Sequence, residues 1–295
     1  MLGLGVGFYK LAGNDYFEGS NWPGATKFLS FDGVNDTAQL PLTSTIREQL
    51  SGTNDSTNDL QNNITISMWV KPTWTYTSSG ANFIGFLALG DDSDLHENIR
   101  LYYHFETSSG TRKNNLVGEA RTSNPSNLKD IDEASLGAAD SITGCGAANV
   151  TSNNWDRTNT GNTNSEGFVN LVFARDTLNW KIYWNGQEIT NGNSASQTLS
   201  GNDSNNDMLE LGVFTHQSLF HQFGVRDLAI FNTELNSDQI TEIYNSGDFF
   251  DVRTASSVDD LVFYCPLEED GTELINGNDL TITGGTFTSI SGGGG

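Results

Sequence analysis

Hydrophobic and polar residues alternate along much of the chain with the two-residue period of a β-strand. The clearest run is Ile64-Thr-Ile-Ser-Met-Trp-Val-Lys71, which places Ile64, Ile66, Met68 and Val70 on one face. Polar residues and one tryptophan occupy the opposite face. The run therefore predicts a strand that directs one apolar face toward a core.

Other runs rich in β-branched and aromatic residues predict further strands, for at least nine in total. They cover residues 27–31, 38–42, 83–89, 99–105, 168–175, 180–184, 208–214, 223–231, 261–265 and 279–283. Asn185-Gly186 follows one of these runs and predicts a tight hairpin, since both turn positions need positive φ.

One helix is predicted near residues 237–246. Asn236 can cap its first turn, and Gln239 three residues later completes a capping box. Gly247 suits the position just beyond the C-terminus. The apolar stripe consists of Ile240, Ile243 and Tyr244. Many strands and one short helix predict an all-β, antiparallel β-sandwich.

The same pattern divides the chain into parts. Residues 1–24 form a Gly-rich apolar arm without a clean period, which we expect to lie against the sandwich or a neighbouring subunit. Residues 25–290 are predicted to form a single domain, followed by a Gly tail at 291–295. Within the domain, residues 106–167 are mostly polar, and either a mobile surface loop or a partner-contacting insertion explains so long a segment.

The charge is strongly unbalanced, with 14 basic and 37 acidic residues among 295 and a net charge of −23. So negative a surface repels phosphate backbones, which excludes nucleic acid as a partner. No apolar stretch has the length of a membrane span, and the N-terminus lacks the features of a secretory signal. Cys145 and Cys265 can form one disulfide bond, although two buried or unreactive free thiols are the favoured interpretation.

Four segments together resemble the laminin-G-like/concanavalin A-like jelly-roll superfamily in its LamG-like form. They are Phe31-Asp-Gly-Val-Asn-Asp36, Ile64 to Pro72, Trp180-Lys-Ile-Tyr-Trp-Asn-Gly186 and Phe223 to Tyr244. The resemblance spans about residues 25–250 and implies a jelly-roll β-sandwich. The stretch 261–280 departs from it, because it looks like the opening strand pair of such domains placed at the C-terminus.

The signal-less start Met1-Leu-Gly-Leu-Gly5 before such a sandwich also looks like virion proteins of marine tailed phages. This similarity implies a structural protein of the particle (a capsid decoration, knob or fibre component) that is located in the virion. Its partners would be other virion proteins or its own copies, in a homo-oligomer. The alternative is an extracellular carbohydrate-binding or adhesion module that contacts glycans at a cell or host surface.

The sequence contains few motifs that are typical of catalytic sites. Glycosidases with this sandwich carry Glu-x-Asp-x-x-Glu on one strand, and the nearest string here is Asp130-Ile-Asp-Glu133, within the polar segment. The four histidines are scattered and form no zinc pattern. His216 and His221 are interpreted as ordinary loop or edge residues. We therefore expect a protein that is not an enzyme.

Calcium is the one cofactor that the sequence suggests, because it prefers clustered oxygen ligands. Asp32, Asn35 and Asp36 lie in a turn between two predicted strands, and Asp91-Asp-Ser-Asp94 forms a second acidic cluster. A chain this rich in Asp and Asn also forms such clusters by chance. The first cluster is the stronger candidate.

Loop aromatic residues are candidates for contacting a glycan or a protein partner. Trp74 and Tyr76 follow a proline that ends a strand, and Trp155 lies in the polar segment. Packing in the core or against a subunit is the competing interpretation for each of them.

Overall fold

The structure is a computed structural model. It describes residues 27–51, 63–71, 73, 83–91, 98–108, 111–120, 130–135, 166–176, 180–188, 207–215 and 218–290. Most of these residues belong to strands. In chain order the strands are β1 (Lys27–Asp32), β2 (Thr37–Pro41), β3 (Ile64–Lys71), β4 (Phe83–Asp91), β5 (Asn98–Ser108), β6 (Thr111–Ala120), β7 (Asp130–Ser135), β8 (Val169–Arg175), β9 (Trp180–Trp184), β10 (Gln187–Glu188), β11 (Asp207–Leu211), β12 (Val213–Phe214), β13 (Leu219–Phe220), β14 (Gln222–Phe231), β15 (Leu261–Cys265), β16 (Thr281–Thr283) and β17 (Thr286–Ser289).

These strands form two large antiparallel sheets. The first sheet has the order β10-β9-β8-β3-β14-β1-β17, with β15 also paired to β14. The second sheet has the order β16-β2-β11-β4-β5-β6-β7, and β12 and β13 form a separate short hairpin. Successive strands cross repeatedly between the two sheets, so the chain has the predicted jelly-roll β-sandwich fold.

The main core lies between the inner faces of the two sheets. Ile64, Ile66, Met68 and Val70 of β3 all belong to it, which confirms the alternation predicted from the sequence. The second sheet contributes matching inward leucines. They include Leu40, Leu87, Leu89, Leu101, Leu209 and Leu211.

The outer face of the first sheet is also buried. Trp69 packs there with Phe28 and Phe168, and a second cluster contains Ile240 and Ile243 of the helix α2 (Ser237–Tyr244). Three short 3₁₀ turns continue the covering segment at Asn245–Gly247, Val252–Thr254 and Val258–Asp260. The residues between α2 and β15 thus form a layer over the first sheet.

The helix signal and the hairpin signal are both confirmed. Asn236 accepts hydrogen bonds from the backbone N–H groups of Asp238 and Gln239 at 3.0 and 3.1 Å, and the Gln239 side chain completes the capping box. Asn185 and Gly186 have φ values of 50° and 74°, as the predicted turn requires.

A second short helix, α1 (Ser44–Ser51), was not predicted. Its apolar residues Ile46 and Leu50 are one turn apart and both join the core, while Thr43 accepts a hydrogen bond from the Ile46 N–H at 3.3 Å. With only two apolar residues in eight, burial rather than periodicity stabilises this helix.

Part of the polar segment 106–167 is built into the second sheet. It contains the end of β5, all of β6 and all of β7, which form one side of that sheet. Their polar composition gave no alternating apolar signal in the sequence. Backbone pairing with neighbouring strands holds them in the sheet. Residues 136–165 and the arm at residues 1–24 lie outside the described residues.

Cys265 is a free, buried thiol, and burial raises its pKa. Cys145 lies outside the part of the chain that the structure describes. Within that part, neither helix has the length and apolar composition to span a membrane.

Candidate functional site

The outer face of the second sheet carries a row of polar residues. Gln39 of β2 pairs in register with Glu210 of β11, Glu210 with Ala88 of β4, and Ala88 with Arg100 of β5. Because their chain neighbours are apolar residues of the main core, these four side chains emerge on the outer face. Glu210 and Arg100 are each only 2% exposed, although they lie on a sheet surface.

Gln39, Glu210 and Thr215 form a hydrogen-bonded polar triad on this face. Gln39 Nε2 donates to Glu210 Oε1 at 2.8 Å and to Thr215 Oγ1 at 3.1 Å. The Thr215 hydroxyl donates to the same Glu210 oxygen, and the Thr215 backbone N–H donates to Glu210 Oε2 at 3.2 Å. The buried carboxylate is therefore compensated by three donors, as a charge in such a position must be.

The triad fixes the orientation of its two accessible members. Gln39 is half-buried and Thr215 is exposed. Both N–H groups of the Gln39 amide are used within the triad, so its carbonyl oxygen is the group left to face an incoming molecule. Glu210 thus acts as a rigid support that positions an acceptor and a hydroxyl.

An aromatic cluster lies next to the triad. Phe214 is packed on Gly85 of β4, where an added Cβ would come within 2.4 Å of its ring. The ring centroid lies 6.5 Å from that of Tyr102, 5.0 Å from that of His221 and 5.4 Å from the Arg100 guanidinium carbon. Gly85 is needed here because any side chain would displace the ring.

His221 is buried in this cluster at 2% exposure. Burial lowers its pKa from 6.5 to about 4, so the imidazole is neutral at physiological pH. The sequence interpretation of His221 as an ordinary loop or edge residue missed this burial.

The predicted calcium cluster forms a closed turn at the end of β1. Asp36 Oδ2 accepts the Asp32 backbone N–H at 2.8 Å, and Asp32 Oδ1 accepts the N–H of Val34 at 2.7 Å. Asp36 is 7% exposed, whereas Asn35 is exposed. These bonds give both carboxylates a role in closing the turn, and calcium binding there stays a prediction.

Across the described ranges, no group of three or more His, Cys, Asp or Glu side chains has a geometry suited to a metal ion. Asp91 ends β4, and the rest of the second acidic cluster lies outside the described residues. The string Asp130-Ile-Asp-Glu133 lies in β7.

The predicted contact residues Trp74, Tyr76 and Trp155 lie outside the described residues, so they stay predictions. The triad and the aromatic cluster were missed by sequence reasoning. One signal was present: Glu210 and Arg100 each stand between two inward apolar residues within a predicted strand. A charge at such a position on a sheet needs a partner, but the sequence does not show which one.

No family model matches this chain, and no curated protein matches it either. Solved structures are similar at low identity. A protein from Bacteroides ovatus with a proposed carbohydrate-binding role has 12% identity and a TM-score of 0.47, over 91% of this chain and 61% of that one.

Two further structures are similar in the same range. Botulinum neurotoxin type C, whose cell entry depends on two ganglioside molecules, has 15% identity and a TM-score of 0.44 over 76% of this chain and 43% of that one. The native heptameric SAP-like pentraxin from Limulus polyphemus has 10% identity and a TM-score of 0.43 over 93% of this chain and 94% of that one. The chain spans less than two thirds of the first two proteins, and none of the three assigns a function to it.

Proposed function

We propose that this chain is a non-catalytic carbohydrate-binding module that contacts glycans with the outer face of its second sheet. The observation that carries the proposal is the juxtaposition of the polar triad and the aromatic cluster on that face. Glycan sites combine fixed hydrogen-bonding groups with an aromatic surface, because sugars present both hydroxyls and apolar C–H faces.

Each part of the site has a role in this proposal. The Gln39 carbonyl oxygen accepts a hydrogen bond from a sugar hydroxyl, and the exposed Thr215 hydroxyl lies beside it. Tyr102, half-buried at the edge of the aromatic cluster, offers its ring to the C–H face of the sugar. Glu210 contacts no sugar and instead holds the amide and the hydroxyl in place.

Preorganisation is what makes this arrangement suited to binding. An exposed glutamine normally loses side-chain entropy when it binds a ligand. Here the amide is already fixed by two hydrogen bonds to its neighbours, so less conformational freedom remains to be lost.

A glycan array tests the proposal, with Gln39→Ala and Tyr102→Ala as the informative variants. We expect the parent chain to bind a defined set of glycans and each variant to lose binding by roughly tenfold, which corresponds to about 1.4 kcal/mol. Gln187→Ala is the matched control, because Gln187 is an exposed glutamine on β10 of the first sheet. It should bind like the parent.

Two results would contradict this assignment. If the parent chain bound no glycan on the array, the proposed function would be wrong. Loss of binding in Trp74→Ala or Trp155→Ala, with Gln39→Ala unaffected, would move the site to the loop aromatics predicted from the sequence.

The phage-particle role and the virion location stay predictions. They rest on the arm at residues 1–24, the polar segment, the acidic surface and the lack of enzyme motifs in the sequence. The arm and most of the polar segment lie outside the described residues. Mass spectrometry of purified particles tests them, and a chain absent from particles would favour the extracellular alternative. Glycan binding on the second sheet is compatible with either location.

A further inference from the structure

Two Asn-Gly pairs lie within the described residues, at Asn185-Gly186 and at Asn276-Gly277. Such a pair is chemically labile, because glycine has no Cβ to shield its backbone nitrogen from the preceding asparagine side chain. That nitrogen can attack the side-chain Cγ and expel the amide as ammonia. The two pairs differ in their structural surroundings.

The fold holds the pair at Asn185-Gly186 in place. Asn185 is half-buried, its backbone N–H donates to the Asn170 carbonyl at 2.9 Å, and its Oδ1 accepts the Asn170 N–H at 2.9 Å. On the other side, a Cβ added to Gly186 would lie 2.8 Å from the Tyr244 ring. The Asn185 side chain is therefore fixed on β8, and its Cγ reaches the Gly186 nitrogen only after a buried hydrogen bond is broken.

The pair at Asn276-Gly277 is exposed to solvent. Both residues are exposed, and apart from the chain neighbours no atom lies within 4 Å of the position that a Cβ on Gly277 would take. The Glu273 carboxylate accepts hydrogen bonds from three N–H groups of this loop at 2.6–3.2 Å, those of Ile275, Asn276 and Asn278. Among the described residues, the Gly277 N–H has no hydrogen-bond partner. The nitrogen that would attack Asn276 is thus free of the bonds that hold its neighbours.

The Asn276 side chain is held by one exposed hydrogen bond. Its Nδ2 donates to the Val262 carbonyl of β15 at 2.8 Å. An exposed bond of this kind exchanges with water at little net cost, because both partners keep a hydrogen bond. The side chain can therefore turn toward the Gly277 nitrogen without disturbing the core.

We propose that Asn276 is a site of spontaneous deamidation whose conversion loosens the loop that holds the buried Glu273. The Gly277 nitrogen forms a bond to Asn276 Cγ, the Cγ–Nδ2 bond breaks, and the Gly277 proton leaves with the amide as ammonia. Water then opens the resulting succinimide ring at either carbonyl, which gives aspartate or isoaspartate at position 276. Water is the co-reactant, and nothing is oxidised or reduced.

Both products disturb the same contacts. Each replaces the Nδ2 donor by a carboxylate, which leaves the Val262 carbonyl without its donor and places a negative charge near the Glu273 carboxylate, itself 3% exposed. Isoaspartate also lengthens the loop backbone by one carbon, which separates the N–H groups that Glu273 holds. Because the same carboxylate accepts the Tyr264 N–H of β15 at 3.0 Å, the disturbance reaches the first sheet.

Timed peptide mapping of the folded full chain by mass spectrometry tests the site, in mildly alkaline buffer that favours deprotonation of the attacking nitrogen. We expect Asn276 to convert roughly tenfold faster than Asn185, which corresponds to about 1.4 kcal/mol in activation free energy. In the chain unfolded by urea, the two asparagines should convert at similar rates, because each then precedes a glycine in an open chain. Equal rates in the folded chain, or conversion of Asn276 only after unfolding, would overturn the proposal.

Two substitutions separate the reaction from its consequence. Gly277→Ala keeps Asn276 but places a methyl group beside the attacking nitrogen, so conversion should slow by roughly tenfold. Asn276→Asp reproduces one product and should lower the melting temperature by about 2–4 °C. Asn63→Asp is the matched control, because it adds the same charge at an exposed asparagine before β3 and should melt with the parent. Unchanged conversion in Gly277→Ala, or an Asn276→Asp chain that melts with the parent, would contradict the proposal.

The proposal is independent of glycan binding, because neither Asn276 nor the loop around Glu273 belongs to the candidate site. Glycan binding measured before and after conversion should therefore be the same, and a loss of binding that follows the conversion of Asn276 would contradict a change confined to the loop and β15.

Discussion

The two sheets bury the same core but differ on their outer faces. The first sheet is covered by α2 and the 3₁₀ turns, and its outward aromatics, such as Trp69 and Phe168, form a second apolar layer. On the second sheet the corresponding positions hold Gln39, Glu210 and Arg100, which lie beside a short hairpin. Among the described residues, the layer over the first outer face contributes to stability, whereas the second outer face carries the candidate site.

The buried charged residues on the two outer faces differ in the same way. Under the covering layer, Arg226 is fully buried, donates to Asp227 at 2.7 Å and to Glu268 at 3.1 Å, and lies 3.9 Å from the Phe249 ring centroid. On the second sheet, the buried Glu210 carboxylate accepts hydrogen bonds from Gln39 and Thr215, whose side chains are both accessible. The first arrangement locks a layer in place, whereas the second orients groups at a surface.

Asp227→Ala should produce the largest loss of stability, about 3–5 kcal/mol, because it leaves a buried guanidinium without its nearest counter-charge. It also removes the acceptor for the Tyr264 hydroxyl at 2.7 Å and places alanine at a φ of 51°. Urea unfolding measures the loss.

Asp248→Ala is the matched control for that experiment. Asp248 is an exposed aspartate in the same covering segment, and its replacement should change stability by less than about 0.5 kcal/mol. Equal effects of the two substitutions would show that the first outer face is not locked by its buried charges.

The second outer face should lose stability in mild acid through His221. Its pKa is about 4 in the folded chain and 6.5 when unfolded, so between these values the unfolded chain binds the proton and the folded chain does not. The stabilisation from neutral His221 is thus complete above pH 6.5 and declines as the pH falls toward 4. At pH 4.5 the loss should be roughly 2–3 kcal/mol.

Comparison with His221→Gln isolates this effect from the titration of the many carboxylates. The free energy of unfolding should fall between pH 7.5 and pH 4.5 by roughly 2–3 kcal/mol more in the parent than in the variant. The same fall in both proteins would mean that His221 takes up its proton without disturbing the aromatic cluster.

Gly85→Ala should have the smallest effect on stability, about 1–2 kcal/mol, and a clear effect on the site. The new methyl group would lie 2.4 Å from Cζ of Phe214 and must displace the ring from the sheet. Thermal unfolding measures the effect on stability, and the glycan array measures the effect on binding.

Gly277→Ala is a control, because no atom lies within 4 Å of its new methyl group, although its φ of 73° carries the backbone cost of a left-handed alanine. Retained glycan binding in Gly85→Ala would show that the aromatic cluster is not required for glycan recognition.

Local signals in the sequence predicted much of the fold. The strand β3, the capping box of α2 and the turn at Asn185-Gly186 all follow from the spacing of a few residues, and the structure has each of them. The helix α1 and the strands β6 and β7 escaped prediction. Burial of Ile46 and Leu50 in the distant core stabilises α1. The strands β6 and β7 pair with their neighbours in the chain, but their polar composition lacks the apolar alternation that predicts a strand. Alternation in β3 predicted an inner face, but it did not predict that the opposite face would be buried as well.

The candidate site shows the limit of such reasoning most clearly. Gln39 and Glu210 are separated by 171 positions in the chain, and only the pairing of β2 with β11 brings them within hydrogen-bonding distance. The calcium cluster proposed from adjacent aspartates is, by contrast, a local turn whose carboxylates bond to nearby backbone. Calcium binding at this turn stays a prediction, whereas the candidate site depends on pairing between residues that are distant in sequence.

The amino-acid sequence by itself determined the fold class, the positions of most strands, the capped helix and the acidic surface, because periodicity, capping and charge are local or additive properties. The tertiary structure decided which sheet face is covered by the helix layer and which polar side chains meet across strands. Those outcomes depend on strand order and register, which join residues far apart in the chain and leave no signature at any single position.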